Sequence, residues 1–228
     1  MGQFVAIEGG DGSGKRTHAA LLKEYLESKG KNVFAISFPR YDKPSARYVS
    51  RYLDGQYGES SSIHPDLSST IYAIDRFAAK DDIKNALIGD DDVVIADRYV
   101  ASNLAHQGAN PHLKTDDDRH RFYTEIQELE FDTLGIIKPN INIVLIMPTA
   151  LAQSNVDKKD DSAGRLYTDK KRDILEADAA HLDKAKSNFE ELCRLYPDEF
   201  IAVQCVSEQG ELRSIDEIQK DIRIIVDA

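Results

Sequence analysis

Apolar runs of strand length alternate along this chain with longer stretches that repeat apolar residues at helical spacing. Two of the runs, Val93–Ala96 and Ile143–Ile146, are apolar throughout, which is typical of parallel strands buried on both faces. Five strands are predicted on this basis: Gln3–Glu8, Asn32–Phe38, Asp92–Asp97, Ile141–Met147 and Phe200–Val206.

Helix boundaries are marked between these strands. Gly30 and Gly89 follow two helical stretches as C-cap residues, and Ser214 with Glu217 has the spacing of a capping box. The alternation predicts a single α/β domain over residues 1–228, built on a doubly wound, five-stranded parallel sheet flanked by helices. Ligands of such sheets bind beyond the carboxyl ends of the strands. The predicted helices are Lys15–Lys29, Asp66–Ile88, Asp116–Leu134, Lys170–Tyr196 and Ser214–Val226.

One segment of the chain lacks any apolar period. Residues Asn155–Asp169 are rich in charged side chains and include Gly and Ser. A loop of this length in a compact domain is often functional, so we predict a mobile lid over the ligand site here.

Composition narrows the choice of partners and compartment. The chain has 228 residues and a formal net charge of −11, which disfavours nucleic-acid binding because phosphate backbones need clustered Lys and Arg. Its two cysteines, Cys193 and Cys205, lack the spacing of a metal site, and we expect free thiols in a reducing cytoplasm. The chain enters a strand directly and has no apolar run near the ~20 residues that span a bilayer, so we predict neither a signal peptide nor a membrane anchor.

The strongest functional signal lies between the first predicted strand and the first predicted helix. Gly9, Gly14 and Lys15 have the G-x-x-x-x-G-K spacing of a phosphate-binding loop. Glycines let backbone N–H groups point inward, the helix N-terminus favours anions, and the lysine can reach the outer phosphates. The position after the lysine, where a Ser or Thr hydroxyl usually helps to hold Mg²⁺, is Arg16. We therefore predict a nucleoside triphosphate site at Gly9, Gly10, Asp11, Gly12, Ser13, Gly14, Lys15, Arg16 and Thr17.

Charged residues elsewhere are weaker signals when each is taken singly. Asp97 and Arg98 end the third predicted strand, where the arginine can donate two N–H groups to a phosphate and the aspartate can hold it or bind Mg²⁺. A strand-end salt bridge is the alternative interpretation. Arg76 lies in a predicted helix, where a solvated ion pair with Asp75 is the ordinary interpretation, and Arg40 follows the second strand.

In their order along the chain, these motifs resemble the thymidylate kinase family, whose members phosphorylate dTMP with ATP. The resemblance implies a P-loop nucleoside monophosphate kinase-like fold, ATP with Mg²⁺, dTMP as the acceptor, and a homodimer formed by helices that flank the sheet. The glycine-lysine-arginine-threonine order of the loop is similar to that of some bacterial members. The residues that carry the resemblance are Phe4–Lys15, Phe38–Arg40, Asp75–Arg76, Asp97–Tyr99, Ser102, Asn103, Gln107, Asp173 and Glu176.

The resemblance also implies a role for single residues. Lys15 binds the donor phosphates, while Arg98, assisted by Arg40, clamps the acceptor phosphate. Arg76 reads the thymine edge, and the ring of Tyr72 stacks on the base, a contact that contributes ~1–3 kcal/mol. Without the resemblance, packing on the helix face is the simpler interpretation of Tyr72. The implied substrate-binding set is Asp11, Arg40, Tyr41, Tyr72, Arg76, Arg98, Asn103, His106, Asp173 and Glu176, and the implied metal set is Asp11, Asp97 and Glu176.

Two further positions depart from the family pattern. His106 stands where the family often has Tyr near the sugar, and a charge change near neutral pH predicts a pH dependence there; a partly exposed helix histidine is the alternative. Gly12 stands where some members carry a basic residue, and members with glycine there have arginines in the lid. The lid of this chain is not arginine-rich, because four of the six basic residues from 157 to 172 are lysines. Arg165 is the first candidate for stabilising the moving phosphoryl group, a contribution of ~10³–10⁵ in rate, and Arg172 is the second. The predicted catalytic set is Asp11, Lys15, Arg98 and Arg165.

Three other functions stay open on the sequence alone. A related P-loop kinase could act on another pyrimidine nucleotide or on a deoxynucleoside. A GTP-dependent switch requires an Asn or Thr-Lys-x-Asp motif, and the nearest string, Asp157–Asp160, has Asp at its first position. A non-catalytic nucleotide-binding regulator is disfavoured by the intact Lys15 and Arg98.

Overall fold

The computed structural model describes residues 2–158, 175 and 178–228. Its five strands form one sheet in the order β2-β3-β1-β4-β5, and every neighbouring pair is parallel. The predicted sheet is confirmed, with each strand end within two residues of its predicted place. The strands are β1 (Gln3–Gly9), β2 (Asn32–Ser37), β3 (Asp92–Asp97), β4 (Ile141–Ile146) and β5 (Phe200–Gln204).

Helices pack on both faces of this sheet. A π-helical segment, Glu128–Thr133, continues one of them, and short 3₁₀ turns occupy Pro44–Ala46 and Ser60–Ser62. The α-helices are α1 (Lys15–Ser28), α2 (Arg47–Leu53), α3 (Pro65–Asn85), α4 (Val100–Gln107), α5 (Asp116–Gln127), α6 (Thr149–Lys158), α7 (Ala179–Leu195) and α8 (Ile215–Asp227).

The helix prediction missed α2, α4 and α6, which have seven, eight and ten residues. A helix of two or three turns shows too few repeats for its period to stand out. The predicted helix Asp116–Leu134 changes to π geometry after Gln127. Residues 155–158, predicted as the start of the lid, are helical, while residues 159–169 lie outside the described part of the chain. The predicted start of the helix Lys170–Tyr196 is wrong, because α7 begins at Ala179, where the extended Asp178 caps its N-terminus. Residues 170–174, 176 and 177 lie outside the described part of the chain.

The side chains of the sheet alternate between two separate cores. Phe4 and Val94 pack on one face under α3, α4, α5 and α7. Val5 and Ile95 pack on the other face under α1 and α8. The edge strand β2 differs from the central strands because most of its residues are exposed, Phe34 among them. Within the described residues, no helix has both the length and the apolar character that crossing a bilayer requires.

The strand register brings three loops together at one edge of the sheet. Ile7 of β1 and Ser37 of β2 both lie beside Asp97 of β3. The Arg98 N–H donates to the Ile7 carbonyl at 3.0 Å, and the Phe38 N–H donates to the Asp97 carbonyl at 3.0 Å. The glycine loop after β1 therefore leaves the sheet next to Phe38 and Arg98, as the rule for parallel sheets predicts.

Candidate active site

The loop between β1 and α1 has a conformation that requires glycine at two positions. Gly9 has φ +135°, and a Cβ atom there would lie 2.6 Å from the carbonyl oxygen of Leu145. Gly12 has φ +81°, and its Cβ atom would lie 2.0 Å from the carbonyl oxygen of Ala152 in α6. Left-handed backbone and close approach both exclude side chains, so the spacing seen in the sequence has a steric cause.

Lys15 is the first residue of α1 and is buried. Its Nζ donates to the Gly10 carbonyl at 2.7 Å, which folds the side chain back over the loop. Burial and the neighbouring Arg98 lower the pKa of Lys15 to about 8, against the opposing effect of Asp11. An incoming phosphate would supply the missing negative charge, so the ammonium group is poised to bind an anion.

A polar cavity lies in front of this loop. Arg16 and Thr17 are exposed along it, and Asn155 of α6 donates to the Gly12 carbonyl at 3.1 Å. Ser13 Oγ is buried without a hydrogen-bond partner, so the loop retains an unused polar atom. We call this the donor cavity; it is lined by Asp11, Gly12, Gly14, Lys15, Arg16, Thr17, Asp97, Arg98 and Asn155.

Arg98 stands directly after β3 in an unusual backbone conformation. It is the one non-glycine residue of the described chain with a positive φ, +67°. Such strain is often retained at functional positions. Its guanidinium forms an ion pair with Asp11, and Nη1 lies 3.3 Å from Ser102 Oγ and 3.5 Å from His106 Nε2. Burial raises the pKa of Asp11, but the charges of Arg98 and Lys15 outweigh burial and hold that pKa below its usual range.

Glu8, for which no role was predicted, binds groups next to Arg98: the backbone of Tyr99 and the hydroxyl of Ser102. The carboxyl group is fully buried at the end of β1. It accepts hydrogen bonds from the Tyr99 N–H at 2.7 Å and from Ser102 Oγ at 2.5 Å. Burial raises the pKa of Glu8. A charged residue inside an otherwise apolar strand was the signal that could have identified it.

A second cavity lies on the other side of Arg98, between the β2 loop, α3 and α4. Seven of the ten predicted substrate-binding residues line it. We call this the acceptor cavity; it is lined by Asp11, Phe38, Pro39, Tyr41, Leu53, Tyr72, Asp75, Arg76, Arg98, Tyr99, Ser102, Asn103, His106, Gln107 and Leu175.

Arg76 and Asn103 are held at the inner end of this cavity by one carboxylate. Arg76 Nη2 donates to Glu130 Oε1 at 2.6 Å, and Asn103 Nδ2 donates to the same oxygen at 2.9 Å. Glu130 is fully buried in the π-helical segment. Glu130 was not predicted, because its helix was expected to be regular. The π-helical geometry that the structure shows here often marks a functional position.

Two predicted residues differ in their surroundings from the expectation. Arg40 lies beside the acceptor cavity rather than in its lining, because its Nε donates to Asp75 Oδ1 at 3.0 Å and its Nη2 to the Asp75 carbonyl at 2.9 Å. His106 is buried, and burial together with Arg98 lowers its pKa to about 3. The predicted charge change of His106 near neutral pH is therefore wrong for the ligand-free protein. Its ring stacks on His181 of α7 with centroids 6.0 Å apart.

Comparison with known proteins decides the family. The sequence profile of the family described as thymidylate kinase matches residues 7–214. The chain belongs to the thymidylate kinase family. A thymidylate kinase of Mycobacterium tuberculosis is 34% identical over 193 residues, covering 83% of this chain and 85% of its own length. One of Clavibacter sepedonicus is 28% identical over 203 residues, covering 89% and 86%. The family, and with it a dTMP kinase as the enzyme predicted from the motifs, is confirmed.

Solved structures of thymidylate kinases agree in fold. The one from Candida albicans has a TM-score of 0.67 at 20% identity and covers 99% of this chain and 91% of its own. The one from Ehrlichia chaffeensis has a TM-score of 0.66 at 17% identity and covers 99% and 98%. The predicted P-loop kinase fold is thereby confirmed.

The remaining predicted site residues fall in different places in the structure. Tyr72 is half-buried in the acceptor cavity with its ring edge-on to Tyr52 at 6.2 Å. Asp97 lines the donor cavity. Arg165, Asp173 and Glu176 lie outside the described residues.

Proposed function

We propose that this chain transfers the γ-phosphoryl group of ATP to dTMP, giving ADP and dTDP, across the boundary between the two cavities. One observation carries the residue assignment: Asp11 and Arg98 line both cavities, so two ligands bound there share a wall. A reaction between two phosphates needs this adjacency, because positioning supplies much of the rate when little covalent chemistry is required of the protein.

ATP binds with its phosphates against the loop from Gly9 to Thr17. Backbone N–H groups of the loop and the start of α1 offer donors, and Lys15 adds a full positive charge. Asn155 supports the loop through the Gly12 carbonyl.

The dTMP molecule binds in the acceptor cavity with its phosphate at Arg98. Its base lies toward Arg76 and Asn103, and the ring of Tyr72 offers an aromatic face. Arg98 is already paired with Asp11, so the phosphate adds to an existing ion pair instead of meeting an unpaired charge. Arg40 acts indirectly here, since its contacts with Asp75 fix the loop that carries Tyr41.

The chemical step depends on charge neutralisation. An oxygen of the acceptor phosphate is already nucleophilic, so no strong general base is needed. Arg98 in the shared wall and Lys15 on the donor side stabilise the charge that shifts between the phosphates. Arg165, in the predicted lid, is our candidate for the cation that follows the transferred phosphoryl group.

The chain offers polar groups that fit a magnesium ion accompanying ATP. Asp97 Oδ1 is buried at the donor cavity without a hydrogen-bond partner, and a carboxylate oxygen is the ligand type that Mg²⁺ prefers. Asp97 and Asp11 would hold the ion, directly or through water, with Glu176 as a further candidate. When bound, the ion neutralises phosphate charge.

We also propose a cytoplasmic homodimer that does not bind nucleic acid. Leu67, Ile74 and Phe77 form an exposed apolar stripe on α3, with 64%, 41% and 43% of their surfaces exposed, and such a stripe suits contact with a second copy. The unpaired Cys193 and Cys205 suit a reducing compartment. Light scattering at micromolar concentration should give the mass of two chains.

The function is tested by measuring ADP release with ATP and a panel of acceptors. We expect dTMP to give the highest kcat/KM among dTMP, dUMP, dCMP, dAMP, dGMP and thymidine. A higher value for another nucleotide or for thymidine would select a different P-loop kinase. Stabilisation by ATP without turnover of any acceptor would instead indicate a regulator.

A further inference from the structure

Glu130 occupies a position that controls the two polar groups at the inner end of the acceptor cavity. Its carboxylate is fully buried and accepts hydrogen bonds from Arg76 and from Asn103. It therefore lies behind the groups that face the ligand and does not itself line the cavity.

The amide of Asn103 can adopt one orientation here. Both of its Nδ2 hydrogens are used, one donated to Glu130 Oε1 at 2.9 Å and one to the Ser69 carbonyl at 3.2 Å. Turning the amide over would place Oδ1 against these two acceptor oxygens. Three buried oxygens would then face one another without a donor between them, which costs the desolvation free energy of each. Asn103 Oδ1 is consequently left buried and without a hydrogen-bond partner.

Asn103 and Arg76 both line the cavity, and the polar groups that they can offer to a ligand are unlike. Asn103 Oδ1 is an acceptor that lacks a donor, and the Arg76 guanidinium has only N–H donors. A complementary ligand offers an N–H next to a carbonyl oxygen. Thymine and uracil carry that pair as N3–H and O4, whereas cytosine has an unprotonated N3 and an amino group, the reverse pattern.

We infer that Glu130 is a positioning residue that sets this hydrogen-bonding polarity and so excludes cytosine from the base site. The inference rests on the proposed function, because it takes the base of the acceptor to lie against Arg76 and Asn103. Glu130 acts through its neighbours and does not touch the substrate.

The test is the ratio of kcat/KM for dTMP to kcat/KM for dCMP in the Glu130→Gln variant. Glutamine has the same shape but can donate to Asn103, which lets the Asn103 amide turn and present N–H. A site built for hydrogen bonds rejects a mismatched analogue by ~10⁴-fold. We expect the wild-type ratio to be of that order and the ratio to fall at least tenfold in the variant. An unchanged ratio in a folded variant would overturn the inference.

A matched control separates polarity from stability. Glu191 is buried in another ion pair, with Arg119 Nε donating to its Oε2 at 2.7 Å between α5 and α7. Glu191→Gln should lower the melting temperature and leave the dTMP to dCMP ratio as it is in the wild type. An equal fall of the dTMP to dCMP ratio in both variants would also count against the inference. It would show that any loss of a buried ion pair lowers the ratio, wherever the pair lies.

The wild-type protein provides a measurement that needs no variant. The monophosphate of 3-methylthymidine has dTMP's shape at O4 but lacks N3–H, and we expect its kcat/KM to be at least 100-fold lower. Equal use of dTMP and this analogue would overturn the inference while leaving dTMP phosphorylation intact. Absence of turnover with dTMP itself would instead refute the proposed function, and the inference with it.

Discussion

The two cavities of the candidate active site differ in which groups face the ligand. The donor cavity is built around a backbone loop, which Gly9 and Gly12 allow to curl under Lys15. The acceptor cavity is formed by side chains fixed in ion pairs, such as Arg76 with Glu130. Backbone N–H groups of a loop can bind the phosphates of any nucleoside triphosphate, whereas side chains held in one orientation can distinguish one base from another. The donor side is therefore sensitive to added volume, and the acceptor side to a changed charge or dipole.

The largest expected effect comes from removing the cation on either side. Lys15→Ala and Arg98→Ala should each lower kcat/KM by ~10²–10³-fold or more, since each removes a group placed to stabilise phosphate charge. Steady-state kinetics measures the loss, and circular dichroism should show an unchanged fold. The control is Arg121→Ala, which removes an exposed arginine of α5 paired with Asp118. Near-normal turnover in either of the first two variants contradicts the assignment.

The acceptor side should distinguish dTMP from dUMP to a moderate degree. The two bases carry the same N3–H and O4 and differ by one methyl group, which is worth ~1–3 kcal/mol or 10–200-fold in an apolar pocket. Competition between the two acceptors measures the ratio of kcat/KM directly. Equal values would show that no surface of the cavity is shaped around the methyl group.

The donor side should fail when volume is added at Gly12. Gly12→Ala combines a positive φ with a contact against the Ala152 carbonyl, whereas Gly30→Ala has nearly the same φ, +83°, and open space around it. Backbone strain alone costs ~1–2 kcal/mol. We expect Gly12→Ala to lower the melting temperature further than Gly30→Ala and to raise KM for ATP about tenfold. Equal melting temperatures would show that the contact with α6 is unimportant.

The smallest expected effect is a pH dependence confined to the donor side. Lys15 has its pKa lowered to about 8, so the ligand-free protein loses this charge as the pH rises above 8. ATP needs the protonated form, and its affinity should therefore be about tenfold weaker at pH 9 than at pH 7. Calorimetric titration measures it. Affinity for dTMP should stay level over the same range, because Arg98 keeps its charge; a parallel fall for both ligands would point to a general loss of structure.

The sequence predicted those parts of the protein that repeat or that follow a local steric rule. The three central strands, β3, β1 and β4, were found because strands buried on both faces are continuously apolar. The edge strands β2 and β5 were found because they also carry apolar runs, although most residues of β2 are exposed. The glycine loop was found because its spacing reflects positive φ and close contact. Residues such as Arg76 and Asn103 were found through the family resemblance, since nothing local distinguishes them from surface polar groups.

The parts that escaped prediction depend on contacts between distant segments. Glu8 and Glu130 are buried carboxylates whose partners are 91 to 94 and 27 to 54 positions away. The low pKa of His106 results from burial and from Arg98, neither of which a sequence pattern reports. The family resemblance implied that Arg40 assists at the phosphate, yet Asp75 pairs with its guanidinium. Pairing of charges across the fold decides such positions, and that pairing exists only once the chain has folded.

The contact between Gly12 and α6 has a consequence for how this enzyme can evolve. A basic side chain at position 12 would bring a cation into the loop, but the Ala152 carbonyl already occupies the space it would need. Because even a Cβ atom at position 12 would clash with this carbonyl, a basic side chain there requires α6 to shift as well. The contact between loop and helix therefore restricts where a further catalytic cation can be placed. A segment beyond α6 can carry one more easily than position 12 of the loop can.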